Sequence, residues 1–202
     1  MYVVDDDVSV REAIEPLITD AGWRAETFCS AQEFLNRRRL QRPCCLILDV
    51  GLPDLNGLEV QQRLASAYTE MPIIFITGRG DVATTVRAMK AGAAEFLTKP
   101  FAPDALTRAV EIAVQRSRAL LEEKLALQAL QDRHQALSRR EREVMALVVR
   151  GRLNKQIGAT LGISEITVKA HRGRVMRKMN VRSVAELVRV AARLGIDAPS
   201  AA

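Results

Sequence analysis

The sequence predicts an α/β fold in its first half and an all-helical fold in its second half. Over residues 1–116, five short apolar runs alternate with segments of helical period, which indicates βαβ units. Such units place their strands in one parallel sheet with helices on both faces. Beyond residue 104 the apolar residues keep a helical period and glycines separate the segments. We therefore expect a (βα)5 parallel-sheet domain, a long linker helix and a four-helix domain.

The five predicted strands are short and mostly apolar, as expected of strands buried on both faces. The central run is followed by Asp49 and a loop of Gly, Pro and Asn, which marks the carboxyl end of a strand. Ligands of open α/β sheets bind at that end, so Asp49 is expected at a binding edge. The strands are predicted at residues 2–5, 24–28, 44–49, 72–77 and 95–98.

Helical segments follow each of these strands. Ser9 has Glu12 three residues later, the spacing of a capping box, so we expect Ser9 to cap the first helix. The helices are predicted at residues 9–21, 31–40, 58–66, 81–91 and from 104 onward.

Polar groups end four of the predicted strands. Asp5 and Asp6 end the first, Asp49 the third, Thr77 the fourth and Lys99 the fifth. Carboxylates crowded at one edge of a sheet require a bound cation or raised pKa values. The acids can hold a divalent metal, Asp49 can act as a nucleophile, and a hydroxyl and an ammonium can bind a transferred group. This set indicates phosphoryl transfer onto Asp49; the alternative is that aspartates merely end strands and Lys99 is solvated.

Several motifs of the first half form a specific combination, and with them residues 2–116 resemble the receiver domain of bacterial two-component response regulators. The motifs are Val-Asp-Asp-Asp at 4–7, Leu-Asp-Val-Gly-Leu-Pro-Asp-Leu-Asn-Gly at 48–57, Ile-Thr-Gly-Arg-Gly-Asp at 76–81, Ala-Met-Lys-Ala-Gly-Ala at 88–93 and Lys-Pro-Phe at 99–101. The resemblance implies a flavodoxin-like sheet of strand order 2-1-3-4-5. It also implies that a sensor histidine kinase phosphorylates Asp49.

The same resemblance implies roles for further residues. Mg²⁺, or another divalent cation in its place, would be held by the side chains of Asp5, Asp6 and Asp49 and the carbonyl of Gly51. Thr77 and Phe96 would form a switch pair, and Lys99 would precede a cis Pro100. Read by itself, Phe96 is a core residue.

The segment from residue 104 to 137 contains no Gly or Pro and is rich in Ala, Leu, Glu and Arg. It predicts one long helix, in which the last helix of the receiver domain continues into a linker at residues 117–136. The later leucines would form a coiled-coil seam with a second chain, cover the C-terminal domain, or belong to a solvated spacer.

The charge distribution separates the two halves. Residues 1–116 carry 13 Lys and Arg against 16 Asp and Glu, whereas residues 137–202 carry 14 against 5. An acidic half joined to a strongly basic half indicates a controlling domain and a polyanion-binding domain.

The basic half has the pattern of a helix-turn-helix. Ser138 has Glu141 in capping-box position, Asn154 is expected to cap a short helix, and Ser164 follows Gly162 and caps a basic helix. A fourth helix is predicted at residues 183–194. On the basic helix, Val168, Val175 and Met179 are expected to face the core, with a small and cationic face opposite. The expected DNA contacts are Asn154, Lys155, Thr167, Lys169, Ala170, Gly173, Arg174, Arg177 and Lys178, whereas His171 is interpreted as a structural histidine with satisfied hydrogen bonds.

Residues 137–196 are similar to the LuxR-type DNA-binding domain. The match rests on residues 137–144, Asn154-Lys155-Gln156-Ile157, Ile163-Ser164 and Thr167-Val168-Lys169-Ala170-His171. A receiver domain followed by this domain resembles the FixJ/NarL class of transcriptional regulators. The implied partners are a sensor histidine kinase, promoter DNA and a second copy of the phosphorylated chain, with RNA polymerase as a further candidate.

Two other functions compete with this one. Aspartyl-phosphate hydrolases carry a second acid two residues after their nucleophile, and Gly51 at that position argues against an enzyme. A phosphorylation-independent DNA-binding regulator is the second alternative. No basic leader or membrane-length apolar run occurs, and three cysteines interpreted as buried thiols suggest a reducing compartment, so a cytoplasmic location is expected. The predicted domains span residues 1–116, 117–136 and 137–202.

Overall fold

The computed structural model describes residues 1–38, 41–65, 68–78 and 82–196. It divides into two compact units, Met1–Glu122 and Glu123–Ala202, each described here by itself. The predicted helix ends at residues 40 and 66, the predicted helix start at 81 and motif residues 79–81 lie outside the described residues. The predicted boundaries of a separate linker remain a prediction.

The described residues of the first unit form one five-stranded parallel sheet in the order β2-β1-β3-β4-β5, which confirms the predicted fold. The last strand has its predicted bounds, and the other four strands are shorter than predicted. Thr77 is opposite Thr98 in the register of the two last strands. The strands are β1 (Tyr2–Val4), β2 (Glu26–Phe28), β3 (Leu46–Asp49), β4 (Ile73–Thr77) and β5 (Glu95–Thr98).

The helices of this unit follow the strands as predicted, but the cap of the first helix differs. The Asp7 side chain accepts a hydrogen bond from the Ser9 backbone N–H at 2.8 Å, so Asp7, not Ser9, caps the helix. The third acid of the 5–7 cluster is therefore used by the local backbone. The helices are α1 (Val8–Asp20), α2 (Ala31–Asn36), α3 (Gly57–Ala65), α4 (Val82–Lys90) and α5 (Pro103–Gln135).

Apolar side chains cover both faces of the sheet. Cys44 packs in the core on one face and Cys45 in the core on the other. Burial raises the pKa of the Cys45 thiol to about 12, so this group stays a neutral thiol. Cys29 is exposed, and its interpretation as a buried thiol was wrong because it lies in the turn after β2.

A buried hydroxyl fixes α5 beside the sheet. Ser117 Oγ accepts the Cys44 backbone N–H at 3.0 Å and donates to the Glu70 carbonyl at 2.6 Å. The strand predicted from Cys44 begins only at Leu46, and this backbone N–H is satisfied by a side chain instead.

The second unit contains four further helices in its described part, as predicted. Ser138 and Glu141 form the expected capping box, and Ser164 accepts the Thr167 backbone N–H. Asn154 is the first residue of its helix and not its cap; the backbone N–H of the preceding Leu153 donates to the Gln156 side chain. The helices are α6 (Arg139–Val149), α7 (Asn154–Leu161), α8 (Glu165–Met179) and α9 (Val184–Arg193).

The turn between α7 and α8 depends on two glycines. Gly162 ends α7 at φ 66°, in the left-handed region. A Cβ at Gly158 would lie 2.7 Å from the Ile163 carbonyl oxygen, so only glycine permits this approach. The turn thereby sets α8 against the core of the unit. In the described part of the chain, no helix has the length and apolarity that crossing a membrane requires.

Candidate functional site

The carboxyl edge of the sheet brings together Asp5, Asp49 and Lys99. The Lys99 ammonium Nζ lies 2.6 Å from Asp5 Oδ2 and 2.8 Å from Asp49 Oδ1. Asp5 is fully buried and Asp49 is 6% exposed, whereas the Lys99 side chain is 21% exposed. One ammonium at the mouth of the pocket therefore bridges two buried carboxylates.

Backbone groups orient the remaining oxygens of these carboxylates. The Asp7 N–H donates to Asp5 Oδ1 at 3.0 Å, and the Gly51 N–H donates to Asp49 Oδ2. A Cβ at Gly57 would lie 2.7 Å from the Asp49 carbonyl oxygen, so the start of α3 must be glycine to pack there. The loop after β3 is thus tightly folded around Asp49.

Arg11 also belongs to the site, although sequence reasoning missed it. Its Nη1 donates to the carbonyl oxygens of Asp5 at 2.6 Å and Asp6 at 3.0 Å, which ties α1 to the loop that carries the acids. A single arginine in the first turns of a helix is a common surface residue, so the sequence carried no specific signal for this role.

Burial and hydrogen bonds between the side chains shift the pKa values of Asp5 and Lys99. Burial raises the pKa of Asp5, and the hydrogen bonds from Lys99 and the Asp7 backbone only partly oppose it. For Lys99, burial acts to lower the pKa, but hydrogen bonds to Asp49 and Asp5 outweigh it and raise the pKa. Lys99 therefore stays protonated, and its single charge does not neutralise both carboxylates.

The expected cluster of three acidic side chains is not formed. Asp6 is exposed, and among the described residues no group of three or more His, Cys, Asp or Glu side chains is placed to hold a metal ion. The reason is that Asp5 continues β1 into the pocket, whereas Asp6 begins the loop. The remaining donors still fit Mg²⁺, which proteins bind through one or two carboxylates and which keeps several waters.

Thr77 and Phe96 lie on the neighbouring strands. Thr77 ends β4 with 4% exposure, and its carbonyl oxygen accepts the Lys99 backbone N–H at 2.7 Å. Phe96 is half-buried, with its ring centroid 6.2 Å from that of Phe75. The Lys99–Pro100 peptide bond is cis, as the resemblance implied. The switch role of Thr77 and Phe96 remains a prediction.

In the second unit, the outer face of α8 has the composition expected from the sequence. Val168, Val175 and Met179 are buried in the core. A Cβ added at Gly173 would meet no atom of the described residues within 4 Å, so the helix backbone is open to solvent there. The predicted contacts Lys169, Ala170, Arg174 and Arg177 are exposed, and so is Ile166 near the start of the helix.

The remaining candidate DNA contacts differ in whether their side chains already make hydrogen bonds within the protein. Lys155 is exposed, whereas the Asn154 side chain accepts a hydrogen bond from Arg172 and the Thr167 hydroxyl lies 2.8 Å from that of Ser164. Lys178 Nζ donates to Glu141 at 2.7 Å and to the Ala136 carbonyl at 3.0 Å.

The contact of Lys178 with Glu141 is a structural ion pair. Glu141 is 3% exposed and also accepts the Ser138 backbone N–H at 2.8 Å. The hydrogen bond from Lys178, with that from Ser138, lowers the pKa of Glu141 to about 2. The local spacing of Ser138 and Glu141 predicts the capping box but not this partner, which lies 37 positions along the chain.

The expectation for His171 was wrong in one respect. Its side chain is half-buried, but Nδ1 is buried with no hydrogen-bond partner among the described residues. The helical wheel placed the ring on the core side but could not supply a partner, because the core around α8 is aliphatic.

Comparisons with known proteins match both units. A family model described as the response regulator receiver domain matches residues 1–111, and one described as bacterial regulatory proteins, luxR family, matches residues 135–191. Nodulation protein W of Bradyrhizobium diazoefficiens is 46% identical over 98% of this chain and 87% of its own length. Transcriptional regulatory protein FixJ of the same organism is 38% identical over 97% and 96%. The low-resolution structure of response regulator StyR has a TM-score of 0.84 at 45% identity and covers 95% of this chain and 97% of that chain.

Proposed function

We propose that phosphorylation of Asp49 controls the binding of this chain to promoter DNA. The premise is that the chain belongs to the two-component response regulators that join a receiver domain to a LuxR-type DNA-binding domain. Members of this family are transcription regulators and not enzymes. In this proposal residues 1–116 receive the phosphoryl group, residues 117–136 link the domains and residues 137–202 bind DNA.

Asp49 is the nucleophile in this proposal. One of its carboxylate oxygens attacks the phosphorus of a phosphohistidine of a sensor histidine kinase; an O–P bond forms, the P–N bond breaks, and the histidine nitrogen keeps the electron pair and takes up a proton. Lys99, already 2.8 Å from Asp49, is the cation that would bind the phosphoryl oxygens. The Thr77 hydroxyl, at the end of the next strand, is the second donor.

The pocket residues fit a divalent cation. Asp5 and Asp49 would hold Mg²⁺ with the Gly51 carbonyl, and Asp6 at the rim is the remaining candidate ligand. When bound, the cation would neutralise charge on the transferred group. The geometry around Lys99 supports this assignment, because a single ammonium contacts two buried carboxylates.

The output step uses the surface formed by α4, β5 and α5. Movement of Thr77 towards the phosphoryl group would open space for the half-buried Phe96 and reshape this surface. On α4, Val82, Val86 and Met89 are 80%, 43% and 43% exposed at spacings that place them on one side of the helix. We propose that this side forms a homodimer of phosphorylated chains, which places two α8 helices on paired DNA half-sites. RNA polymerase is a further candidate partner of the DNA-bound dimer.

The contact of Lys99 with both Asp5 and Asp49 is the single observation that carries the proposal. The test is incubation of the full chain with Mg²⁺ and acetyl phosphate, with phosphoryl uptake measured by intact-protein mass spectrometry. Bound DNA is then selected from a random pool with and without acetyl phosphate at two salt concentrations, because DNA affinity depends strongly on salt.

Asp49→Asn is expected to abolish both phosphoryl uptake and the phosphodonor-dependent gain in DNA binding. Asp54→Asn is the matched control, because Asp54 lies in the same loop but accepts the backbone N–H groups of Ala31 and Gln32 at the start of α2. An Asp49→Asn chain that still gains affinity with acetyl phosphate would contradict the mechanism. Selection of one DNA sequence with no phosphoryl uptake would instead support the phosphorylation-independent regulator.

A further inference from the structure

Ile166 is an exposed apolar residue whose position in the second unit has no packing explanation. It is 80% exposed and is the second residue of α8. On the helical wheel it lies opposite Val175, which is buried in the core of the unit. Isoleucine is also a weaker helix former than alanine or the long polar residues, so helix propensity does not account for it.

The neighbours of Ile166 define a narrow apolar strip. Ala170 and Gly173 follow at spacings of four and seven residues and share its side of the helix. Lys169 and Arg174 flank the strip on its two sides, and all of these residues are exposed. An apolar strip bordered by cations suits a polyanion that presents one apolar group at the bottom of a groove.

The DNA major groove is such a surface. Its walls are phosphates, and the C5-methyl group of thymine is the apolar group among the base edges that it displays. In helix-turn-helix proteins, the N-terminal residues of the recognition helix contact those base edges. Ile166 is at that end of α8, where the small Ala170 and Gly173 permit close approach.

We propose that Ile166 reads the C5-methyl group of a thymine in each half-site. The proposal rests on the DNA-binding function of the second unit and adds one base preference to it. The lysine and arginine side chains around Ile166 would supply affinity through phosphates or other base edges, while Ile166 would supply discrimination through an apolar contact.

The test uses the phosphorylated full chain and the DNA site that it selects. Each thymine of a half-site is replaced in turn by deoxyuridine, which lacks only the methyl group. Replacement at one position per half-site is expected to weaken binding about three- to fivefold, the effect of one buried methyl group. Substitution at the other thymines is expected to change affinity less than twofold, roughly within the scatter of independent sites.

The Ile166→Ala variant tests whether the Ile166 side chain makes the contact at the methyl-sensitive thymine. It is expected to bind the thymine site about three- to tenfold more weakly and to lose its sensitivity to deoxyuridine at that one position. Alanine favours helix, so the variant keeps the α8 fold. Leu153→Ala is the matched control, because Leu153 is 69% exposed in the same unit but precedes α7; it should keep the full sensitivity.

The outcomes separate this inference from the proposed function. If Ile166→Ala retains the deoxyuridine effect, or if no thymine of the selected site responds, Ile166 does not read a methyl group. If sedimentation shows that Ile166→Ala changes the oligomeric state and its DNA preference is unchanged, Ile166 contacts a second copy of the chain instead. Failure of the unsubstituted chain to select any DNA sequence would contradict DNA binding itself.

Discussion

Each unit contains a lysine in contact with a buried carboxylate, and the two contacts have opposite electrostatic results. Lys99 lies 2.6 Å from Asp5, yet the pKa of Asp5 is raised. Lys178 lies 2.7 Å from Glu141, and the pKa of Glu141 is lowered to about 2. The distances are nearly equal, so distance does not explain the difference.

The balance between burial and hydrogen bonds explains it, because burial is the largest influence on the pKa of Asp5, whereas the Lys178 hydrogen bond is the largest influence on the pKa of Glu141. Lys99 is shared by Asp5 and Asp49, and burial penalises the charge of Asp5. Lys178 donates to one carboxylate, that of Glu141, which also accepts the Ser138 backbone N–H. A contact in which negative charge exceeds positive charge can bind a further cation and marks a functional site. A contact with balanced charges stabilises the fold. Four substitutions test this distinction.

The largest effect is expected for Lys99→Met. Removal of the ammonium leaves two buried carboxylates uncompensated, which we expect to lower the free energy of unfolding at pH 7 by about 3 kcal/mol. Phosphoryl uptake should fall by about 100-fold or more, because the cation at the transferred group is lost. Denaturant unfolding followed by the fluorescence of Trp23, the single tryptophan, reports on the first unit.

The pH dependence of this variant provides the check. Without Lys99 the pKa of Asp5 rises further, and a raised pKa gives stability that is present at low pH and lost as pH rises through it. The loss of stability should therefore shrink as the pH is lowered from about 7 towards about 5. At about pH 5 the carboxylates of the unfolded chain are still ionised, because their ordinary pKa is lower. Lys99→Arg, which keeps the charge, is the control. A loss of equal size at both pH values would refute the charge explanation.

Arg11→Met should weaken Mg²⁺ binding about tenfold, which corresponds to loss of about 1.4 kcal/mol. Its guanidinium holds the Asp5 and Asp6 carbonyls, so the loop that carries the acids would lose its support. Isothermal titration calorimetry with Mg²⁺ measures the effect without phosphorylation. Arg24→Met, an exposed arginine before β2, is the charge-matched control. Equal affinities of the two variants would remove Arg11 from the site.

The contact between Lys178 and Glu141 should add about 1 kcal/mol to the free energy of unfolding in a pH-dependent way. This is less than the shift in the pKa of Glu141 implies, because the Lys178 side chain is 40% exposed. The folded pKa lies below the ordinary value of 4.5, so this stability is present above about pH 4.5 and is lost as the pH falls towards 2. Thermal unfolding of the unsubstituted chain and of Glu141→Gln, which keeps a capping-box side chain, should converge at low pH. Parallel curves would show that the ion pair contributes nothing.

The smallest effect is expected for Lys178→Gln on the salt dependence of DNA binding. Its ammonium is engaged by Glu141 and Ala136, so the slope of log affinity against log salt should change by less than about 0.5. Arg177→Gln, at the adjacent exposed position, should reduce the slope by about 1. The expectation from the sequence that Lys178 binds phosphate would be supported if the two slopes fell equally.

The sequence was most informative where the determining interactions are local. Alternating apolar runs and helical periods predicted the parallel sheet because burial on both faces dictates composition. The Ser138 and Ser164 caps could be identified because their bonds span three residues. The Asn154 and Ser9 caps were wrong because both helices begin earlier than expected: α1 starts at Val8 after Asp7, and α7 starts at Asn154 after Leu153.

The sequence by itself therefore determined the order of elements, the edge of the sheet at which Asp49 lies and the two faces of α8. Only the tertiary structure decided that Lys99 bridges Asp5 and Asp49, that Asp6 is exposed, and that Lys178 engages Glu141. These contacts join residues 94, 50 and 37 positions apart, so no local spacing specifies them. They depend on how the chain packs, and packing fixes which charges share a partner and which are left under-compensated.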